Sequence, residues 1–199
     1  KELVYYLELV DDANTEKIIK KKIKAIAIYD NENIQYIENP SQKFLKEIFE
    51  KENIKKYGHN LTEDYIILKQ EGITIQNIEY DSMVAAYILN PTSGKYKIED
   101  LMNEYLELDL DEYLKANNID VQNAGQITLF QEETKEQCTD KYKTAFFAYG
   151  ISKLREITIK KLEEINALKL FKEIDMPTVE VLSDMQWNGM YLDVTELDE

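Results

Sequence analysis

The amino-acid sequence predicts an α/β fold with a partly parallel sheet, and three features of the chain indicate it. Residues 1–40 contain runs rich in Val, Ile and Tyr, which are typical of strands. Residues 41–80 alternate between helical and strand patterns, an order that usually gives parallel strands joined by helices. From Asp81 onward, apolar residues recur mainly at helical spacing.

Five strands are predicted within the N-terminal half of the chain. The first covers Leu3–Val10 in the stretch "LVYYLELVDDAN". Ile23–Asp30 and Ile34–Glu38 flank the short turn "NEN", which predicts a β-hairpin. Two shorter strands are predicted at residues 55–59 ("KKYGH") and 74–80 ("TIQNIEY"), with a helical stretch between them.

Helices are predicted between and after these strands, with limits set by capping residues and apolar stripes. The predicted helices cover residues 41–53, 62–73, 81–91, 97–106, 110–118, about 133–175 and 177–189. Ser41 is the expected cap of the first helix and Asn60 or Thr62 that of the second, while a break in the long helix is expected near Gly150. Residues 119–134 are polar without a clear period, which predicts a long loop.

Composition limits the classes of protein that the chain can belong to. The single cysteine, Cys138, excludes a disulfide framework and fits a reducing cytoplasm. The single histidine, His59, argues against a zinc site built from this chain alone. No apolar run is long enough to cross a membrane. We therefore expect a cytoplasmic protein with no membrane partner.

The formal net charge of −15 bears on nucleic-acid binding. An isolated domain this acidic repels a phosphate backbone, which disfavours a module that binds single-stranded DNA by itself. The lysine run in "EKIIKKKIK" lies beside Asp11, Asp12 and Glu16, so we interpret it as a solvated turn rather than a phosphate-binding patch.

Two motifs in the chain resemble those of one family. Asn60, Leu61 and Asp64 form an Asn-Leu-x-x-Asp pattern at a helix start, followed by a helix over Asp81–Pro91 that ends in Leu-Asn-Pro. Near the C-terminus, a Met-Pro pair is followed by a helix and a Gly-x-x-x-Asp step at Gly189 and Asp193. This combination resembles the 3′-5′ exonuclease domain of bacterial DNA polymerase I, a family A DNA polymerase, followed by the start of the polymerase domain.

The resemblance implies a fold and a domain division. The expected fold is RNase H-like, with a five-stranded mixed sheet flanked by helices and a C-terminal helical segment leading to the polymerase domain. Residues 1–172 would form the exonuclease-like domain and residues 173–199 the truncated start of the polymerase domain. We expect the chain to be an excised piece of a longer protein.

The resemblance also implies a metal chemistry that can be compared with this sequence. Exonucleases of this type use two Mg²⁺ ions held by four carboxylates. These come from Asp-x-Glu on the first strand, an Asp on the second-motif helix, and Tyr-x-x-x-Asp on a late helix. Residues i and i+2 of a strand share a face, so both first-strand carboxylates can reach the metals.

Three of the four ligand positions carry apolar residues in this sequence. The family pattern places Leu7 and Leu9 on the first-strand positions and Phe147 on the late aspartate. Glu8 then points to the opposite face, and a one-residue shift in register would turn every other side chain of the strand over. Asn60 and Asp64 remain as the remnant of the second motif. Without partners, Asp64 also fits a simpler role as a favourable anion in a first helical turn, with Asn60 as a cap.

The leading hypothesis is a vestigial, inactive 3′-5′ exonuclease domain that supports the polymerase domain of the same chain. No catalytic residue, metal ligand or cofactor is then expected in the fragment, which would be a monomer and meet DNA only through the parent polymerase. The alternative is an active, Mg²⁺-dependent proofreading exonuclease, using Asp64 with Glu8, Asp11 or Asp12. A second alternative is a single-stranded DNA-binding module.

Overall fold

The computed structural model describes residues 1–13, 17–30, 33–109, 112 and 135–189. Three sequence predictions fall on other residues. Apart from residue 112, the expected helix over 110–118 lies outside the described residues, as do the whole loop over 119–134 and Asp193 of the C-terminal step.

The strands form a single five-stranded mixed sheet, which confirms the predicted fold class. Their order across the sheet is β3-β2-β1-β4-β5. β1 is antiparallel to β2, and β2 to β3, whereas β4 is parallel to both β1 and β5. The strands are β1 (Glu2–Asp11), β2 (Lys21–Tyr29), β3 (Ile34–Glu38), β4 (Lys55–Gly58) and β5 (Ile78–Asp81).

Helices cover the sheet and continue to the C-terminal end of the described residues. They are α1 (Gln42–Phe49), α2 (Leu61–Gln70), α3 (Ser82–Leu89), α4 (Ile98–Leu106), α5 (Lys135–Glu164), α6 (Leu168–Leu170) and α7 (Met176–Asn188). A π-helical turn, Phe171–Asp175, joins α6 to α7, so residues 168–188 form one C-terminal helical segment. Among the described residues, no helix is long and apolar enough to span a membrane.

Alternate residues of β1 pack against different helices, because successive side chains of a strand point to opposite faces. The ring of Tyr5 meets Phe49 of α1 edge-on, at a centroid distance of 4.8 Å. The neighbouring Tyr6 meets Phe147 of α5 in the same manner at 5.0 Å. The rings of Tyr5, Phe49 and Phe147 are buried and that of Tyr6 is half-buried, so β1 is covered on both faces.

The expected break at Gly150 is wrong, since α5 runs without interruption from Lys135 to Glu164. Gly150 lies where α5 meets α4, and a Cβ atom there would overlap the Sδ and Cε atoms of Met102. Met102 is fully buried. The glycine therefore permits close packing of two helices and does not interrupt either.

The long helix ends at Glu164 and not near Asp175 as the sequence predicted. Asn166 takes a left-handed conformation with φ 58°, and the N–H of Ala167 donates to the carbonyl of Leu162 at 2.8 Å. This is the usual way in which a helix C-terminus satisfies its last carbonyls. Pro177 lies in the first turn of α7 and Gly189 caps its end, as predicted.

The last strand is shorter than its sequence pattern. Residues 74–80 were predicted as strand, but β5 covers only Ile78–Asp81. Asn77, just before it, has φ 57°, a left-handed conformation that does not fit a strand. The N–H of Gln76 donates to the carbonyl of Phe49 at 2.9 Å, which ties this residue to the end of α1, and contact with the sheet begins only at Asn77, whose carbonyl accepts from the N–H of Lys56 in β4 at 2.9 Å.

Candidate functional site

A cavity of about 240 Å³ lies beyond the carboxyl end of β4, beside the part of the parallel strand β1 that extends past it. β1 pairs with β4 only through Glu2–Val4, so the rest of this edge of β1 extends past the end of β4. The cavity lies between that edge and the N-termini of α2 and α4. Its lining residues are Tyr6, Leu7, Leu9, His59, Asn60, Glu63, Asp64, Lys97, Ile98 and Glu99. Crevices at this end of parallel strands are common ligand sites.

Leu7 and Leu9 line this cavity together with Asp64. The two leucines share a face of β1 because they are two residues apart. Leu7 is buried, with 4% of its surface exposed, and Leu9 is half-buried. The strand wall next to Asp64 is therefore apolar at the positions where the resemblance places two carboxylates.

Phe147 is not among the residues that line the cavity with Asp64. It packs against Tyr6, which does line it, and is itself 2% exposed. Lys143, one turn earlier, places its Nζ 5.4 Å from the centre of the Phe147 ring and 3.2 Å from a carboxylate oxygen of Glu99. Lys143 and Phe147 thus occupy the part of α5 where the family resemblance implies a Tyr-x-x-x-Asp pair.

Glu8 has its own partners on the other face of β1. Its carboxylate accepts hydrogen bonds from the hydroxyls of Tyr36 and Thr144, both at 2.9 Å, and pairs with Lys24 at 2.6 Å. Only 12% of the Glu8 side chain is exposed. The register of β1 and β2 shifts between Glu8 and Leu9, where Lys24 is the extra residue of a bulge. Glu8 therefore joins β1 to β2, β3 and α5, and it does not line the cavity.

Asp64 lies in the first turn of α2 and is buried, with 6% of its surface exposed. Burial raises the pKa of its carboxyl well above the ordinary value, and the negative charges of Asp81 and Glu63 raise it further. The nearby Tyr5 hydroxyl opposes this shift in the pKa of Asp64. Among the described residues, that buried hydroxyl has no hydrogen-bond partner of good geometry.

Asp81 supplies the contacts that hold the start of α2 in place. Its carboxylate accepts from the backbone N–H groups of Asn60 at 3.0 Å and Leu61 at 2.7 Å. It also accepts from the N–H of Met83 at 2.8 Å, which caps its own helix α3. One buried carboxylate, 1% exposed, thus satisfies the N-termini of two helices, α2 beside the cavity and α3.

Asn60 does not cap α2 through its side chain as the sequence suggested. Its backbone is left-handed, with φ 56°, and its side-chain amide donates to Glu63 at 2.9 Å. A side-chain cap needs an extended backbone that turns the side chain back over the first turn. In this conformation the side chain points instead towards Glu63.

The sequence profile of the 3′-5′ exonuclease family matches residues 13–142, about two thirds of the chain. The chain belongs to the 3′-5′ exonuclease domain family of bacterial DNA polymerase I. The matched range includes Asn60 and Asp64 of the exonuclease motif and leaves out Leu7, Leu9 and Phe147.

Relatives of this exonuclease domain are whole DNA polymerases. The chain is 26% identical to DNA polymerase I of Bacillus subtilis and 32% identical to that of Borreliella burgdorferi, over 152 residues and 76% of this chain in each case. It spans 16% and 15% of the length of those proteins. A solved structure titled as the POL domain of Pol1 from M. smegmatis in complex with DNA primer-template and dNTP has a TM-score of 0.73. It is 17% identical, and the match covers 100% of this chain and 30% of that chain.

The two glutamates that line the cavity, Glu63 and Glu99, are each paired with a lysine from a neighbouring element. Lys21 binds Glu63 at 2.7 Å, and Lys143 binds Glu99 at 3.2 Å. His59 places Nδ1 2.8 Å from the hydroxyl of Ser82, and burial lowers the pKa of its ring, which favours the neutral imidazole at pH 7.

The donor set of the cavity does not fit the two Mg²⁺ ions that this exonuclease family implies. Magnesium requires oxygen ligands in near-octahedral positions at short distances. In the part of the chain that the structure describes, no group of three or more His, Cys, Asp or Glu side chains could hold a metal ion. Leu7 and Leu9 line the cavity with Asp64, and the carboxylates of Glu63 and Glu99 are paired with lysines.

Sequence reasoning identified Asp64 but missed several residues around it. Tyr6, Lys97 and Glu99 were not expected at the cavity, because they come from elements far apart in the sequence that only the topology brings together. Asp81 could have been found as a cap for α3, since an Asp before a helical run is a common start signal. Its contacts with α2, 20 and 21 residues earlier, had no local signal.

Replacing Asp64 by asparagine should stabilise the protein at pH 7. Because the folded-state pKa of Asp64 is raised, the stability associated with its protonation is present below about pH 4 and is lost as the pH rises through the folded-state value. An asparagine side chain cannot ionise, so the unfolding free energy of the variant should not show this fall with rising pH. Urea unfolding at a series of pH values measures the effect, with Glu99→Gln on the exposed rim as the control. An Asp64→Asn variant that is less stable than the parent at pH 7 would contradict this assignment.

Proposed function

We propose that this chain is a non-catalytic exonuclease-like domain of a DNA polymerase I polypeptide and that it supports the polymerase domain. The observation that carries the proposal is the apolar wall that Leu7 and Leu9 form beside Asp64, at the two positions where the family pattern has metal-binding carboxylates. Two-metal hydrolysis needs both ions to be clamped by oxygen ligands, and a single buried carboxyl does not supply them.

The alternative of an active proofreading exonuclease gains no support from Glu8 or Asp11, two of the residues named for it. Glu8 is held on the other face of β1 by Lys24, Tyr36 and Thr144. Asp11 is exposed at the end of β1 and pairs through its backbone with Lys21 of β2. The proposal therefore includes no metal cofactor for this chain. It assigns DNA contact to the parent polymerase, which we propose to be a cytoplasmic monomer.

Degradation of a 3′-labelled single-stranded DNA tests the proposal. We expect no nucleotide release above background with Mg²⁺ or Mn²⁺, and no difference between the protein and its Asp64→Ala variant. An active proofreading exonuclease on the same substrate serves as the positive control. Metal-dependent release that Asp64→Ala abolishes would overturn the proposal.

A gel-shift titration addresses the remaining alternative, binding of single-stranded DNA. The net charge of −15 predicts no shift even at low salt, where phosphate contacts are strongest. The lysines near the end of β1 do not change this expectation, because Lys17 and Lys21 are paired with Glu71 and Glu63. A shift that weakens steeply with added salt would favour the binding module.

A further inference from the structure

The outer end of the β1–β2 hairpin is a two-stranded ribbon. Among the described residues, β4 pairs with β1 only as far as Val4, and β3 pairs with β2 only from Ala25 onward. The pairing of Leu9–Asp11 with Lys21–Ile23 therefore has no third strand on either side. We call residues 9–13 and 17–23 the outer hairpin. A two-stranded ribbon is marginally stable by itself, so other contacts must hold it in place.

The outer hairpin begins at a bend whose base is fixed to the sheet. The bulge between Glu8 and Leu9, with Lys24 as the extra residue, separates it from the regular part of β1 and β2. A bulge bends its strand locally. The Glu8 carboxylate is bound to β3 and α5, and the carbonyl of Lys24 accepts from the N–H of Asn39 at 2.8 Å. The bulge is therefore the point at which the ribbon can bend.

Four polar contacts hold the outer hairpin against α2. The side-chain amide of Gln70 accepts from the N–H of Ile19 at 2.7 Å and donates to the carbonyl of the same residue at 3.2 Å. Two ion pairs accompany these bonds, Lys21 with Glu63 at 2.7 Å and Lys17 with Glu71 at 2.5 Å. We call these four contacts the clamp. Because ion pairs at the surface contribute little, the reciprocal bonds of Gln70 are its main part.

Ile67 lies beneath the clamp. It comes four residues after Glu63 and three before Gln70, and residues at these spacings share one face of a helix. Its side chain is 1% exposed, so the hairpin that contacts Glu63 and Gln70 covers it. The next residue, Leu68, is fully buried in the main hydrophobic core. Two neighbouring side chains of α2 are thus covered from different sides.

The outer hairpin also forms one wall of the cavity beside Asp64. Leu9 belongs to the hairpin and lines the cavity, while Glu63 on the α2 wall is bound by Lys21 of the hairpin. We propose that the outer hairpin is a flap that bends at the bulge, and that the clamp holds it closed over α2 and the cavity. The inference concerns access to the cavity and does not depend on whether the domain is catalytic.

Cysteine labelling of the 199-residue protein tests the flap. Ile67→Cys places a thiol beneath the clamp, and Leu68→Cys places one on the core side of the same helix. Both proteins carry Cys138→Ser to remove the native thiol. Maleimide labelling rates are measured with the clamp intact and with Gln70→Ala, which removes both bonds to the hairpin backbone. Gln35→Ala, at an exposed position of β3, is the matched control.

The expected result is a change confined to one side of α2. Labelling of a covered thiol follows the population of the open form, so Gln70→Ala should raise the rate at position 67 about tenfold. The rate at position 68 should rise by less than about twofold, and Gln35→Ala should change neither rate. Equal rises at positions 67 and 68 would show that the whole helix loosens and would overturn the proposal. An unchanged rate at position 67 would overturn it as well.

Hydrogen exchange at Ile19 is a second test that needs no new thiol. The double variant Lys17→Glu, Lys21→Glu places like charges against Glu71 and Glu63 and leaves Gln70 in place. The N–H of Ile19 should then exchange with D₂O about tenfold faster than in the parent protein. Lys20→Glu with Lys22→Glu, at exposed positions of the same hairpin, gives the same change in net charge. Equal exchange rates at Ile19 in the two double variants would contradict the clamp.

Discussion

The Asp81→Ala variant is expected to lose about 3–5 kcal/mol of unfolding free energy, which corresponds to a fall of roughly 10 °C in Tm. Asp81 is buried and accepts three backbone N–H bonds, from Asn60, Leu61 and Met83. Removal of the carboxylate leaves those donors without an acceptor at the N-termini of α2 and α3. Loss of one helix cap costs about 0.5–2 kcal/mol, and this residue serves two helices.

Two further variants separate the loss of these bonds from other effects. Asp81→Asn keeps the oxygen that can accept from Asn60 and Met83 but places an amide nitrogen towards Leu61, so its loss should be intermediate. Glu79→Ala, on the same strand, removes a half-exposed carboxylate paired with Lys55 at 3.3 Å, and should cost less than about 1 kcal/mol. Chemical denaturation of all three variants measures the differences. Equal stability of Asp81→Ala and Glu79→Ala would contradict the double-capping role.

The sheet could be predicted from the sequence because its signals are local. Strand runs such as those of β1 and β2 carry β-branched and aromatic residues, and the turn between β2 and β3 is short. The order of elements then restricts the topology, since parallel neighbours need a helical crossover. For the same reason the limits of β5 were wrong, because Asn77 interrupts the strand pattern with a left-handed turn.

The helix limits show where one residue type has two structural uses. Gly150 was expected to break α5, but it permits close contact with Met102, and a sequence does not distinguish these roles. Asn166 could have marked the true end of α5, because asparagine is, after glycine, a common residue in left-handed helix ends. The apolar pattern that continues through Phe171 concealed this signal.

The candidate site was predictable only where a motif or a strand period described it. Asp64 belongs to a local motif, and the alternation of β1 placed Leu7 and Leu9 on one face and Glu8 on the other. The contacts of Glu8 with Thr144 and of Phe147 with Tyr6 join residues more than a hundred positions apart. Such pairs depend on the packing of α5 on the sheet, and no local pattern contains them.

The Leu7→Asp variant should lose about 3–5 kcal/mol of unfolding free energy at pH 7. Leu7 is buried beside Asp64, so the substitution removes an apolar side chain whose burial contributes about 1.5–3 kcal/mol. It also places a second carboxyl next to one whose pKa is already raised by burial. Two carboxyls in such a site cannot both ionise without repulsion, so the new group should be destabilising when charged.

A matched Leu7→Asn variant removes the same apolar surface without adding a charge. The difference in stability between the Leu7→Asp and Leu7→Asn variants should be large at pH 7 and small near pH 4, since protonation removes the repulsion. Thermal unfolding across this range with and without millimolar Mg²⁺ measures both effects. Because Leu7→Asp adds only one of the carboxylates that a two-metal site would need beside Asp64, we expect Mg²⁺ to leave its Tm unchanged. A Leu7→Asp protein as stable as its parent at pH 7 would show that position 7 does not face Asp64 in a packed wall. A rise in Tm specific to that variant on addition of Mg²⁺ would show that the cavity keeps more of a metal site than Asp64 alone.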